Sequence, residues 1–101
     1  MGFDVVIYNH SGQRVEIFEL SESLHNVIFS QSMLWRSYLE LRKLSDYYLT
    51  NETFSGNKLS QLILDLKQYQ SNIPNHNQND YQKFISKISS SKVSSVHIAG
   101  D

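Results

Sequence analysis

The chain opens on a dense apolar run, Phe3 to Tyr8, reading Phe-Asp-Val-Val-Ile-Tyr. Its length and β-branched content predict a strand with Phe3, Val5 and Ile7 on one face and Val6 and Tyr8 on the other. Apolar positions on both faces predict a central strand or one covered on both sides. Asn9 to Gln13 is turn chemistry, with Gly12 free to take positive φ. Arg14 to Leu20 then alternates: Val15 and Ile17 share one face, and Arg14, Glu16 and Phe18 the other. Two such runs joined by a short glycine-containing segment predict a hairpin. Ser21 predicts a helix N-cap, with Glu22 at the positive end of the dipole and Leu24, Val27 and Ile28 turned inward.

After a Ser-Gln-Ser break at 30–32, the spacing predicts a helix over 33–48. Its stripe is Leu34, Tyr38, Leu41 and Tyr48, widened by Trp35, Leu39 and Leu44. Residues 49–57 read as a loop, and Ser55 as the cap of a helix over 57–70. Leu59, Leu62, Ile63, Leu66 and Tyr69 form that helix's apolar face, with Lys58, Asp65 and Lys67 in water. Ile73-Pro74 ends the segment. Asn75 to Asp80 reads as a polar, mobile stretch, and Asp80 as the cap of a helix over 81–89. Val93 to Ile98 predicts a half-buried strand, and Ala99-Gly100-Asp101 a plain tail. The predicted class is α+β: a small antiparallel sheet, made of the N-terminal hairpin and the C-terminal strand, packed against three or four helices. Residues 1–101 make one domain, and the last strand is expected beside the first.

Composition narrows the function classes. With 9 Lys and Arg against 10 Asp and Glu, the net charge of −1 lacks the basic excess of a general polyanion binder. Ser, Asn and Gln number 16, 8 and 7, so polarity rests on hydroxyls and amides more than on charge. No cysteine is present, which excludes disulfides, thiolate nucleophiles and Cys-based zinc sites. No apolar run approaches the ~18 residues of a membrane span. The first residues lack a basic n-region and an apolar h-region, so the expected compartment is the cytoplasm.

Motifs for chemistry are sparse. His10, His25, His76 and His97 include no i, i+4 pair on one helix. His10 and His97 meet only if the terminal strands bring them together. Gly2, Gly12, Gly56 and Gly100 are too scattered for a phosphate cradle, and no Gly-x-Ser-x-Gly elbow is present. The expectation is therefore no enzyme, no cofactor, no metal and no small-molecule substrate. Charge is uneven, however. Residues 1–56 carry seven acids against four bases, and residues 57–101 five lysines against three acids. Lys83, Lys87 and Lys92 form a small basic edge, the alternative reading being a nucleic-acid-binding regulator. Without arginine that edge is a weak phosphate footprint.

The stronger candidate is a protein-binding surface. Tyr47 and Tyr48 are adjacent, so one helix face cannot bury both, and carboxylates flank them. Tyrosine gives large contact area at low entropy cost, and acids steer a basic partner. The candidate partner-binding residues are Glu19, Glu22, Glu40, Asp46, Tyr47, Tyr48 and Glu52.

The opening Met1-Gly2-Phe3-Asp4-Val5-Val6-Ile7-Tyr8-Asn9, the helix entry Ser21-Glu22-Ser23-Leu24-His25, and Leu44-Ser45-Asp46-Tyr47-Tyr48 with Leu59-Ser60-Gln61-Leu62 resemble one family. It is that of the small bacterial immunity proteins of contact-dependent growth inhibition and related polymorphic toxin systems. The resemblance runs from Met1 to about Tyr69 and contains no catalytic signature. It implies a cytoplasmic, non-catalytic antidote that binds its cognate toxin's C-terminal domain, a ribonuclease, one-to-one and covers the active site, with no nucleic-acid or membrane partner. One feature departs from the family: antidotes of nucleases are often strongly acidic, and this chain is not.

Overall fold

The computed structural model describes residues 3–100. Met1, Gly2 and Asp101 lie outside the described residues. The fold is α+β, a four-stranded antiparallel sheet with three α-helices. The strands are β1 (Phe3–Tyr8), β2 (Arg14–Leu20), β3 (Asn51–Ser55) and β4 (Ser95–Ala99), in the order β2-β1-β4-β3. The hairpin and the return of the C-terminal strand onto β1 stand as expected, with Val5 paired to Phe18 on one side and to Ile98 on the other. Gly12 takes φ 79° in the hairpin turn, and the Asn9 side chain caps that turn by accepting from Ser11 N and Gln13 N at 3.0 and 2.9 Å.

β1 is central but covered on one face only. Phe3, Val5 and Ile7 are buried with Phe54, Val96 and Ile98 of β3 and β4, whereas Val6 and Tyr8 remain half-exposed. In β2 the packed face is Glu16, Phe18 and Leu20, so Val15 and Ile17 stand on the uncovered side.

The helices are α1 (Glu22–Phe29), α2 (Gly56–Tyr69) and α3 (Gln78–Ser89). α1 starts as predicted: the Ser21 hydroxyl accepts from Leu24 N at 3.1 Å. α2 buries Leu59, Leu62, Leu66 and Tyr69, and α3 buries Tyr81, Phe84, Ile85 and Ile88. Ser55 and Asn77 occupy the N-cap positions of α2 and α3 without making side-chain caps. The 75–80 stretch is a 3₁₀ turn, Asn75–Asn77, followed by the first residues of α3.

Four expectations fail. No helix spans 33–48, where two 3₁₀ turns, Leu34–Ser37 and Leu41–Leu44, are found instead. A continuous helix would bond the amides of Glu40 and Leu41 to carbonyls four residues back. Both donate instead to Asp65 Oδ2, at 3.0 and 3.2 Å, and the Trp35 indole N–H turns back to the Phe29 carbonyl at 2.9 Å. Asp65 is accordingly buried, not in water, and its Oδ1 accepts from Gln61 Nε2 at 2.7 Å. The 49–57 segment is no loop: β3 lies within it, a polar strand held by its ladder to β4 with Phe54 in the core. The tail is not plain either. Ala99 ends β4, and Gly100 N donates to Thr50 O at 2.6 Å.

Candidate functional site

Strand register places the charges. The row Glu19–Asp4–Ala99–Asn51 crosses the sheet at one end, on its uncovered face. Leu20 leads from that end through Ser21 into α1, so Glu22 is exposed beside it. The turn at residues 47–49 closes the same end. The Tyr47 ring stacks on Phe3 at 5.8 Å, and a Cβ built on Gly100 would lie 2.3 Å from Tyr47 O. That contact is why the chain passes through a glycine there: no side chain fits against this backbone.

The turn is rigidly built. Asp46 Oδ1 accepts from Tyr48 N and Leu49 N at 3.0 and 2.9 Å, an Asx-type arrangement. Buried Thr50 donates its hydroxyl to Asp46 O at 2.6 Å. Below the turn, buried His25 meets Leu44 O at 2.7 Å through Nε2, which is therefore the protonated nitrogen. Its ring packs against Phe3, Phe29 and Tyr47. Burial lowers the His25 pKa below the ordinary 6.5, opposed by the Leu44 hydrogen bond and by the charges of Asp46 and Glu22. Those two carboxylates thus converge on the region of His25.

Five of the seven expected residues therefore gather at one end of the molecule: Glu19, Glu22, Asp46, Tyr47 and Tyr48. Asp4, missed from the sequence because it sits in an apolar strand, joins them through its pairing with Glu19. Tyr47 is half-buried, while Tyr48 is 64% and Leu49 80% exposed, so the adjacent pair divides between core and water as expected. Glu40 and Glu52 do not join. Glu40 pairs with Lys43 at 2.8 Å beside Asp65, and Glu52 lies opposite Ile98 on the covered face.

The opposite end of the sheet carries Arg14, paired to Tyr8, with Lys58 in the first turn of α2 and Lys92 in the turn before β4. Arg14 is the only lysine or arginine within the four strands. The lysine edge on α3 is partly spent. Lys87 pairs with Glu16 and lies over the Phe18 ring at 5.0 Å. A groove of about 290 Å³ between β2 and α3 has an apolar floor of Phe18, Leu20, Leu24 and Phe84, with Glu19, Asp80, Lys83 and Lys87 around it. It holds no nucleophile–base pair, since its serine, Ser21, is engaged as the α1 cap.

His10 and His97 stay apart although β1 and β4 pair. His10 meets Ser91 O at 3.0 Å, and His97 meets Asn51 Oδ1 at 2.6 Å. Among the described residues no group of three or more His, Cys, Asp or Glu is placed to hold a metal ion, and no helix is long and apolar enough to cross a membrane. No protein-family model matches the sequence, no curated protein matches it, and no solved structure matches the fold.

Proposed function

We propose that this chain is an immunity protein. It binds the C-terminal ribonuclease domain of a cognate contact-dependent growth inhibition toxin, one-to-one in the cytoplasm, and blocks the active site by occupying its approach. The observation that carries this reading is the acidic, tyrosine-bearing end of the sheet. Asp4, Glu19, Glu22 and Asp46 share one end of the molecule with an exposed Tyr48–Leu49 pair on a turn fixed by hydrogen bonds. A nuclease cleft is basic because it binds phosphates, so such a surface is its electrostatic counterpart. A pre-ordered turn limits the entropy lost on binding. The lysine-edge reading is weaker, because Lys87 is already matched by Glu16.

The test is co-expression. The toxin domain encoded by the adjacent upstream reading frame is induced with and without this protein, and growth is followed. Rescue by this protein but not by an unrelated immunity protein is the expected result. Growth arrest that persists although the protein is folded and abundant overturns the assignment. In the pair, Glu22→Lys with Asp46→Lys is expected to weaken binding at least tenfold, about 1.4 kcal/mol.

A further inference from the structure

We infer that His25 makes the 45–49 turn a proton-sensitive latch: acid lifts the turn off α1 and takes Tyr48 and Leu49 out of their fixed positions. The latch is a property of the free chain, and only its consequence for a partner rests on the function proposed above. His25 is the floor of the turn. It is 2% exposed, and its ring centroid lies 4.8 Å from Phe3, 4.6 Å from Phe29 and 5.1 Å from Tyr47. Its Nε2 donates to Leu44 O at 2.7 Å, so the neutral imidazole is already satisfied there. A second proton, at Nδ1, puts a cation among three aromatic rings and strips it of hydration.

The charges around the ring do not rescue that cation. Glu22 on its own helix and Asp46 in the turn both favour it, but burial outweighs them. Tyr47 brings a phenol, which is neutral in this range. β1 presents Phe3, since Asp4 stands on the other side of the sheet. On the 41–44 turn Lys43 is held by Glu40 and Arg42 is exposed. Any conformation that hydrates His25 restores its ordinary proton affinity, so acid shifts the population toward that conformation.

Of the elements that cover the ring, the turn is the one that can yield. Phe3 belongs to the central strand, and Phe29 sits on the same helix as His25. Buried Leu44 and Thr50 pin the two ends of the turn. Between them the chain hangs on Asp46. Its carboxylate accepts from Tyr48 N and Leu49 N, and its carbonyl accepts from Thr50 N at 3.1 Å and from the Thr50 hydroxyl. A cation beneath the turn draws that carboxylate away from the two amides. The rings carry the change outward, because Tyr47 lies on His25 and Tyr48 on Tyr47 at 5.3 Å. A turn that has lost its order binds a partner less tightly, since its ordering is then charged against the contact.

The test follows amide exchange of the full chain by NMR from pH 7 to 5.5, each rate divided by that of an unprotected peptide at the same pH. The window lies above the range in which carboxylates ordinarily titrate, about 4. Protection of the Tyr48, Leu49 and Thr50 amides is expected to fall with pH, by up to tenfold per pH unit, the limit for one proton. The comparison is with Leu62 and Leu66, buried in α2. Turn protection that stays flat while theirs falls shows that His25 is charged only when the whole fold opens, and overturns the inference. His25→Gln is expected to abolish the dependence in the turn, and a fall that persists in that variant assigns it to another group and overturns the inference as well. Should His25→Gln fail to fold, the wild-type comparison with α2 decides alone. Failure of the chain to bind the toxin domain at any pH overturns the proposed function and leaves the latch standing, because the exchange measurement needs no partner.

Discussion

Replacing Asp65 by alanine is expected to be the most damaging single truncation outside the aliphatic core. The side chain is 3% exposed and accepts three hydrogen bonds, from Glu40 N, Leu41 N and Gln61 Nε2. Gln61 is exposed and regains water when its partner goes. The two amides do not: Leu41 is fully buried and Glu40 partly so. A buried donor left without a partner costs about 1–3 kcal/mol. Two of them give ~2–6 kcal/mol, against a total stability of about 5–15 kcal/mol for a domain. Asp65→Asn keeps one carbonyl oxygen for the two amides, and Gln61 can turn its own oxygen toward the new NH₂. Only the charge-assisted part is then lost, ~1 kcal/mol. Urea unfolding at neutral pH separates these outcomes. With a slope of about 1–3 kcal/mol/M, the alanine variant moves the midpoint by roughly 1 M or more and the asparagine variant by much less. Amide exchange at Glu40 and Leu41 should accelerate specifically in the alanine variant. An alanine variant within ~0.5 kcal/mol of the wild type would refute the reasoning, because the 3₁₀ segment would then be held by its apolar contacts alone.

Gly100→Ala is expected to push the new methyl into the Tyr47 carbonyl, 2.3 Å from its built position. The overpacking cost of about 1–3 kcal/mol should appear as a lower melting temperature, with Tyr47 and Tyr48 displaced in spectra of the aromatic region. His25 makes stability depend on pH with a definite sign. Its folded pKa is lowered from 6.5 by burial, so the unfolded chain binds the proton more readily. Stability is therefore full above about pH 6.5 and falls as pH drops from there toward the lower folded pKa. His25→Gln, which keeps a donor for Leu44 O, should flatten that part of the profile in urea titrations from pH 7.5 to 5. A wild-type profile flat across the window would contradict the assignment.

The sequence carried the hairpin, the N-cap at Ser21, the return of β4 onto β1 and the apolar faces of α2 and α3, because each is written locally as periodicity or turn chemistry. It did not carry what depends on distant partners. The 33–48 stretch has helical spacing, yet Asp65, 24 residues beyond Leu41, takes the amides a helix needs. The signal available was Asp65 itself, an acid beside Leu66 and three residues from Leu62 on an otherwise apolar stripe. β3 has weak strand composition and owes its form to β4. The site was half legible for the same reason. Tyr47, Tyr48 and Asp46 are neighbours in sequence, but the exclusion of Glu52 required the strand register, and the inclusion of Asp4 required its pairing with Glu19.

The near-zero net charge then ceases to count against an acidic antidote. What a partner feels is set by charges within a screening length, about 8 Å at physiological ionic strength. Along β1 the Asp4–Glu19 row is four residues, ~14 Å at 3.4 Å per residue, from the row of Tyr8 and Arg14. The cations of the far end, Arg14, Lys58 and Lys92, are thus more than one screening length from the acidic end. They lower the sum without lowering the local potential. A toxin cleft approaching the Tyr48 end meets Asp4, Glu19, Glu22 and Asp46 as an acidic protein would present them, and the segregation orients the encounter, since the other end repels a basic partner. The chain's overall charge of −1 and its proposed role in binding a basic nuclease are compatible because Asp4 and Glu19 stand at the end of the sheet away from Arg14.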